Sequence, residues 1–147
     1  MTQTRFFSMI KDFNDMYKLD NHDEPTLLGP ERIRHFVDIL QEEVEEAQDI
    51  LANYQEKVAA GVPEQELKYE VLTDMADWLG DIVVYCASEA RRWGLPLEDV
   101  LKTIMESNFS KLGSDGEPIY DQRGKVMKGP DYWKPEPKIR QLLEGSR

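Results

Sequence analysis

The sequence predicts an all-α protein, an antiparallel bundle of four to five helices followed by an irregular C-terminal arm. Three observations predict it. Apolar residues recur at helical spacing through most of the chain as far as Lys111. The breakers Gly29-Pro30, Gly61-Val62-Pro63 and Gly94 cut that pattern into helix-length pieces. Beyond Lys111 the texture changes to a stretch rich in Gly and Pro.

The first helix is expected over about Gln3 to Leu19, with Phe6, Met9, Ile10, Phe13, Met16 and Tyr17 on one packing stripe. A loop from Asn21 to Pro30 follows. The second, long helix starts near Glu31 and turns Ile33, Phe36, Val37, Leu40, Val44, Ala47 and Leu51 inward, ending near Ala60. Pro63 suits the start of a third helix that runs to about Trp93, so the two long helices form an antiparallel hairpin. A fourth begins near Pro96, with Val100, Leu101, Ile104 and Met105 as its apolar face. The arm, 112–137, carries turn signals at Asp115-Gly116 and Arg123-Gly124 and suits a short hairpin; Ile139 to Leu143 suits a last short helix.

A length of 147 residues fits one domain, 1–147, with a sizeable core. The formal net charge is −11, and residues 42–81 hold twelve acidic residues against Lys57 and Lys68, a local net of −10. Such a surface repels nucleic acid phosphates and anionic membranes and attracts divalent cations, so neither polymeric nucleic acid nor a membrane is an expected partner. The single cysteine, Cys86, excludes an intrachain disulfide and a Cys-based metal site, and reads as a small core residue. No run approaches the roughly 18 apolar residues of a membrane span, and the N-terminus has no signal-like stretch, which together suggest the cytoplasm.

Two acidic clusters stand out at helical spacing. Glu70, Asp74, Asp77 and Asp81 fall within an arc of roughly 60° on the third helix, and Glu42, Glu43 and Glu46 span roughly 100° on the second. Like charges at such spacing repel, so the stacked carboxylates call for a compensating cation. In an antiparallel hairpin the glutamates meet Asp77 and Asp81. Asp81 also lies in WLGDIVVYCA, which has no other charged residue and is expected to be buried, where a lone carboxylate must be paired, protonated or metal-bound. An oxygen-only cluster suits Mg²⁺ (or Mn²⁺), whose shells mix carboxylates with water and phosphate oxygens. Di-iron carboxylate chemistry does not fit, because the chain has no Glu-x-x-His and its histidines, His22 and His35, lie outside the clusters.

Glu42-Glu43-x-x-Glu46, followed by an acidic helix around Asp81, resembles the all-α nucleoside triphosphate pyrophosphohydrolase superfamily, the MazG-like group. The arm SNFSKLGSDGEPIYDQRGKVMKGPDYWKP is similar to the C-terminal signature of its phosphoribosyl-ATP pyrophosphohydrolase-like subgroup. The resemblance covers about Glu31 to Pro137. It implies metal-dependent hydrolysis of the α,β-phosphate bond of a small-molecule nucleotide, giving a nucleoside monophosphate and pyrophosphate. It further implies that Glu43, Glu46 and Asp81 are metal ligands and that Glu42 orients or deprotonates the attacking water. The family's second motif is Glu-x-x-Asp, and here Trp78 stands where its glutamate would be; Asp77, or Asp74 one turn earlier, is the candidate replacement.

Phosphate contacts are expected from Lys111, in the family-like context Asn108-Phe109-Ser110-Lys111, and from Arg123, Lys125 and Lys128 in the arm; Asn108 can bond a ribose, base or phosphate. Asn14, Tyr17, Trp78 and Tyr85 are candidates to contact a base, with packing as the other reading of Trp78. The long hairpin and arm suggest a homodimer or homotetramer. Two other functions remain open: a phosphoribosyl-ATP pyrophosphohydrolase of histidine biosynthesis, and a noncatalytic acidic helical module that binds a basic partner.

Overall fold

A computed structural model describes residues 4–145. Among them the chain forms five helices and no strand: α1 (Arg5–Met16), α2 (Pro30–Ala59), α3 (Glu64–Arg92), α4 (Leu97–Phe109) and α5 (Glu136–Gly145). The all-α class and the order of elements are those the periodicity predicts. Helix ends shift by a few residues, and Gln3 lies outside the described residues.

Breakers set the ends of the long hairpin. Pro30 opens α2, where a missing N–H costs nothing, and Gly61, in the left-handed region, reverses the chain before Pro63 caps α3. Gly94 ends α3 for two reasons. Its φ is +67°, and a Cβ there would lie 1.8 Å from the Glu24 carbonyl oxygen, because the 18–29 loop crosses this helix end. The loop is held there by Arg91, whose carbonyl accepts from the His22 N–H, and by the Trp93 carbonyl, which accepts from Thr26 N–H.

Helix α2 packs along α3, α1 lies on α3, and α4 pairs with α5. The α1–α3 joint is polar at its centre. Asn14 is fully buried and donates to the Ser88 and Asp20 carbonyls at 3.1 Å, while Ser88 Oγ donates back to Asn14 Oδ1 at 2.7 Å. Every polar atom of Asn14 is therefore engaged, so it is a structural residue and not a base contact.

The arm is ordered against α4. Ser107 Oγ donates to the Trp133 carbonyl at 2.8 Å, and Gly129 N–H donates to the Lys111 carbonyl at 2.8 Å. A Cβ on Gly129 would meet the Leu112 carbonyl oxygen at 1.7 Å, so only glycine allows this approach. The expected hairpin is minimal, one antiparallel bridge between Tyr120 and Val126 around the Gly124 turn.

The packing stripes depart from expectation. Among the described residues the buried apolar ones are Ile10, Ala87 and Ala90, whereas Met9, Phe13, Met16 and Tyr17 on α1 and Ile33, Val37, Val44 and Leu51 on α2 are exposed. Cys86, expected in the core, is exposed as well. The chain presents 11039 Å² of accessible surface, against about 7,800 Å² for a globular monomer of its mass. The sizeable core that the length suggests is absent from the isolated chain, because both sides of the hairpin are apolar and α1 covers only part of them. No helix is long and apolar enough to cross a membrane among the described residues.

Candidate active site

The seam between α2 and α3 places the acidic clusters, and Trp78 fixes its register. The indole Nε1 donates to the Glu43 main-chain carbonyl at 2.6 Å. Trp78 is thus a packing residue that ties α3 to α2 three residues before Asp81.

The buried charge at this seam is Glu43, and not Asp81 as the apolar run suggests. Glu43 is 6% exposed, whereas Asp81, Glu42 and Glu46 are open to solvent. The reason is the uncovered face of α3, where Leu79, Val83 and Val84 are themselves exposed. Glu43 Oε2 is buried without a hydrogen-bond partner among the described residues. Burial pushes its carboxyl above the usual range, Glu46 and Asp81 push the same way, and the Tyr85 hydroxyl pulls it back. Tyr85 is raised in turn, by burial first and then by the charges of Glu43, Asp81, Glu46 and Glu42. One phenol therefore feels four of the carboxylates singled out from the sequence.

The rest of the acidic stripe has another partner. Glu70 forms an ion pair with Lys57 at 2.7 Å. Glu70 foremost, then Asp74 and Glu66, raise the lysine's pKa. The compensating cation expected for this stripe is, over its first half, a lysine of the facing helix. Asp77 lies between the halves, exposed, in a shallow depression shared with Asp81 and Phe6.

The arm residues are gathered elsewhere. Lys111 and Lys128 converge on the Tyr132 ring, 6.0 and 5.0 Å from its centroid. The main-chain N–H groups of Arg123 and Lys125 donate to Asp121 Oδ1 at the hairpin tip, and Asn108 is exposed on α4. None of these five lines the cavity that reaches Asp81.

That cavity, about 360 Å³, opens between α1, α2 and α3. Asp81 and Tyr85 stand at one end, Phe13 and Phe36 on its walls, and Arg32, Glu89 and Arg92 at the other end. Arg32 grips Glu89 with Nη2 to Oε1 at 2.5 Å and Nε to Oε2 at 3.0 Å, and Trp93 Nε1 donates to Oε2 at 2.8 Å. Sequence reasoning missed this cluster. The hairpin register was the available signal: 43 − 32 and 89 − 78 are both 11, so Arg32–Glu89 lies three turns along each helix from Glu43–Trp78.

Among the described residues no three His, Cys, Asp or Glu side chains stand close enough to grip a cation as they are. The donor chemistry nonetheless fits a hard divalent ion: an orphaned, buried carboxylate oxygen on Glu43, with the exposed carboxylates of Glu46 and Asp81 acting on it.

No family model matches the chain, and no curated protein matches it. Among solved structures, it is similar to a protein from Exiguobacterium sp. 255-15, provisionally described as an NTP pyrophosphohydrolase, whose crystal structure was determined at 1.78 Å resolution. The identity is 24%, over 97% of this chain and 99% of that one, with a TM-score of 0.48. A likeness of that degree assigns neither a family nor an activity to this chain.

Proposed function

We propose that the chain is a metal-dependent nucleoside triphosphate pyrophosphohydrolase, cleaving the α,β-phosphate bond to release a nucleoside monophosphate and pyrophosphate. The observation that carries this reading is Glu43: a buried carboxylate with an unpartnered oxygen, pushed toward protonation by two neighbouring carboxylates. In its ionised form such a group is costly unless a cation joins it.

Glu43, Glu46 and Asp81 would hold Mg²⁺ or Mn²⁺, with Asp77 as a further ligand in place of the glutamate absent at Trp78. When bound, the metal would neutralise phosphate charge and make a water more acidic. The chain's own residues do the rest. Glu46 and Asp81, exposed at the seam, would complete the ligand set beside Glu43, whose backbone Trp78 holds in place. Glu42 orients the attacking water or takes its proton. Tyr85, with its hydroxyl kept protonated, donates to Glu43 and keeps that carboxylate oriented. Lys111, Arg123, Lys125 and Lys128, which stand away from the seam in the single chain, would meet phosphate oxygens, and Asn108 a ribose, base or phosphate, only from a second copy of the chain.

The protein works as a homodimer or homotetramer in this reading. The accessible surface, well above that of a globular monomer, supports a second copy over the open apolar faces.

Asp81→Asn tests the assignment. It should abolish Mg²⁺-dependent pyrophosphate release and preserve the helical circular dichroism; undiminished turnover would refute the role given to Asp81.

A further inference from the structure

The cavity that begins at Asp81 ends on a floor whose chemistry differs from the acidic seam. Its lining on α3, namely Asp81, Val84, Tyr85, Ser88, Glu89 and Arg92, follows one helix stripe, and Asp81 and Arg92 are about 16 Å apart along the axis. That is the scale of a nucleotide laid lengthwise. With the phosphates at the seam, the opposite end of the molecule is the base.

The floor is nearly neutral, since Arg32 pairs with Glu89 and Arg92 Nη1 reaches Asp20 at 3.4 Å. A neutral floor with Glu89 in it does not suit a multiply charged phosphate chain. It suits a neutral ligand, and its free hydrogen-bonding capacity is of one kind. Both oxygens of Glu89 already accept, from Arg32 and from Trp93. The guanidinium groups keep donors to spare: each has five N–H bonds, and no bond from Arg32 Nη1 or Arg92 Nη2 is found among the described residues. Phe13 and Phe36 on the walls can lie against a planar ring.

Resting on the pyrophosphohydrolase reading, we propose that Arg32 and Arg92, with Glu89 locked by Arg32 and Trp93, form the base-recognition floor of this cavity. The floor selects bases that present a carbonyl oxygen at the edge away from the sugar, uracil, thymine or guanine, over the amino bases cytosine and adenine. An amino group in place of that carbonyl, as in cytosine or adenine, would bring donors against donors, with both Glu89 oxygens already held by Arg32 and Trp93.

Calorimetric titration with non-hydrolysable α,β-imido analogues of dUTP, dCTP, dGTP and dATP, in Mg²⁺, tests this without requiring turnover. In whichever size class binds, the keto analogue should bind about tenfold or more tighter than its amino counterpart. Arg92→Leu should erase that preference. Equal affinities in the intact protein, which needs no variant to fold, would overturn base selection and leave the hydrolase reading standing. A preference that survives Arg92→Leu would overturn the role of Arg92. Binding of none of the four would overturn both readings.

Discussion

The Trp78 indole donates to the main-chain carbonyl of Glu43 at 2.6 Å, so an aromatic side chain of α3 positions the buried carboxylate on α2. Trp78→Phe keeps the ring and removes the donor. It should cost about 1 kcal/mol of stability, and Trp78→Ala about 3 kcal/mol, through the cavity it leaves. Denaturant titration checks both, and metal affinity should fall in each. An unchanged metal affinity in Trp78→Ala would separate the indole from the site.

Glu43→Gln removes the buried charge and retains the shape. The metal-free variant should be the more stable protein, by about 1 kcal/mol or roughly 3 °C in Tm, while the stabilisation of the parent by Mg²⁺ is lost. Thermal melts with Mg²⁺ and with a chelator provide the comparison. A less stable variant would mean that Glu43 is a satisfied structural residue.

The same residue sets a pH dependence. The folded carboxyl titrates above its ordinary value of 4.5, so its contribution to metal-free stability is fully present below that value. It is lost as pH rises through the higher folded pKa, because the folded state binds the proton more tightly. The difference in Tm between parent and Glu43→Gln, measured in chelator, should therefore widen in the variant's favour as pH rises from 4.5. A flat difference would contradict the raised pKa.

Arg32→Ala leaves Glu89 buried without its guanidinium. It should destabilise by about 3 kcal/mol, whereas Lys57→Ala, at an open ion pair with Glu70, should change Tm little and turnover not at all. Equal effects on Tm would mean that the buried Arg32–Glu89 pair contributes no more than the open Lys57–Glu70 pair.

Gly129→Ala places a methyl group onto the Leu112 carbonyl oxygen and should lift the arm from α4. Faster proteolysis between 113 and 130, with the α2–α3 hairpin intact, is the expected result. Unchanged protection would show that the arm has another docking mode.

Periodicity and breakers are enough for the class, a count of four to five helices and the hairpin, because Gly29-Pro30, Gly61 and Gly94 act locally. Burial was less legible. The run around Asp81 reads as buried because it is apolar on all sides, but apolarity says that a face will be covered and not by which chain. Glu43 carries no such mark, since burial comes to it from Trp78 and Tyr85 across the seam. The Lys57–Glu70 pair and the Arg32–Glu89–Arg92 floor were hidden for a related reason: each joins residues remote in sequence, and only the hairpin register brings them together.

The central claim is tested most directly by product analysis of the purified protein with a panel of nucleoside triphosphates and phosphoribosyl-ATP, in Mg²⁺, in Mn²⁺ and in chelator, alongside Glu43→Gln. The account predicts pyrophosphate and a monophosphate from one or a few substrates, only with metal and not with the variant. Orthophosphate as the product, turnover that persists in chelator or in Glu43→Gln, or no turnover of any substrate would contradict it.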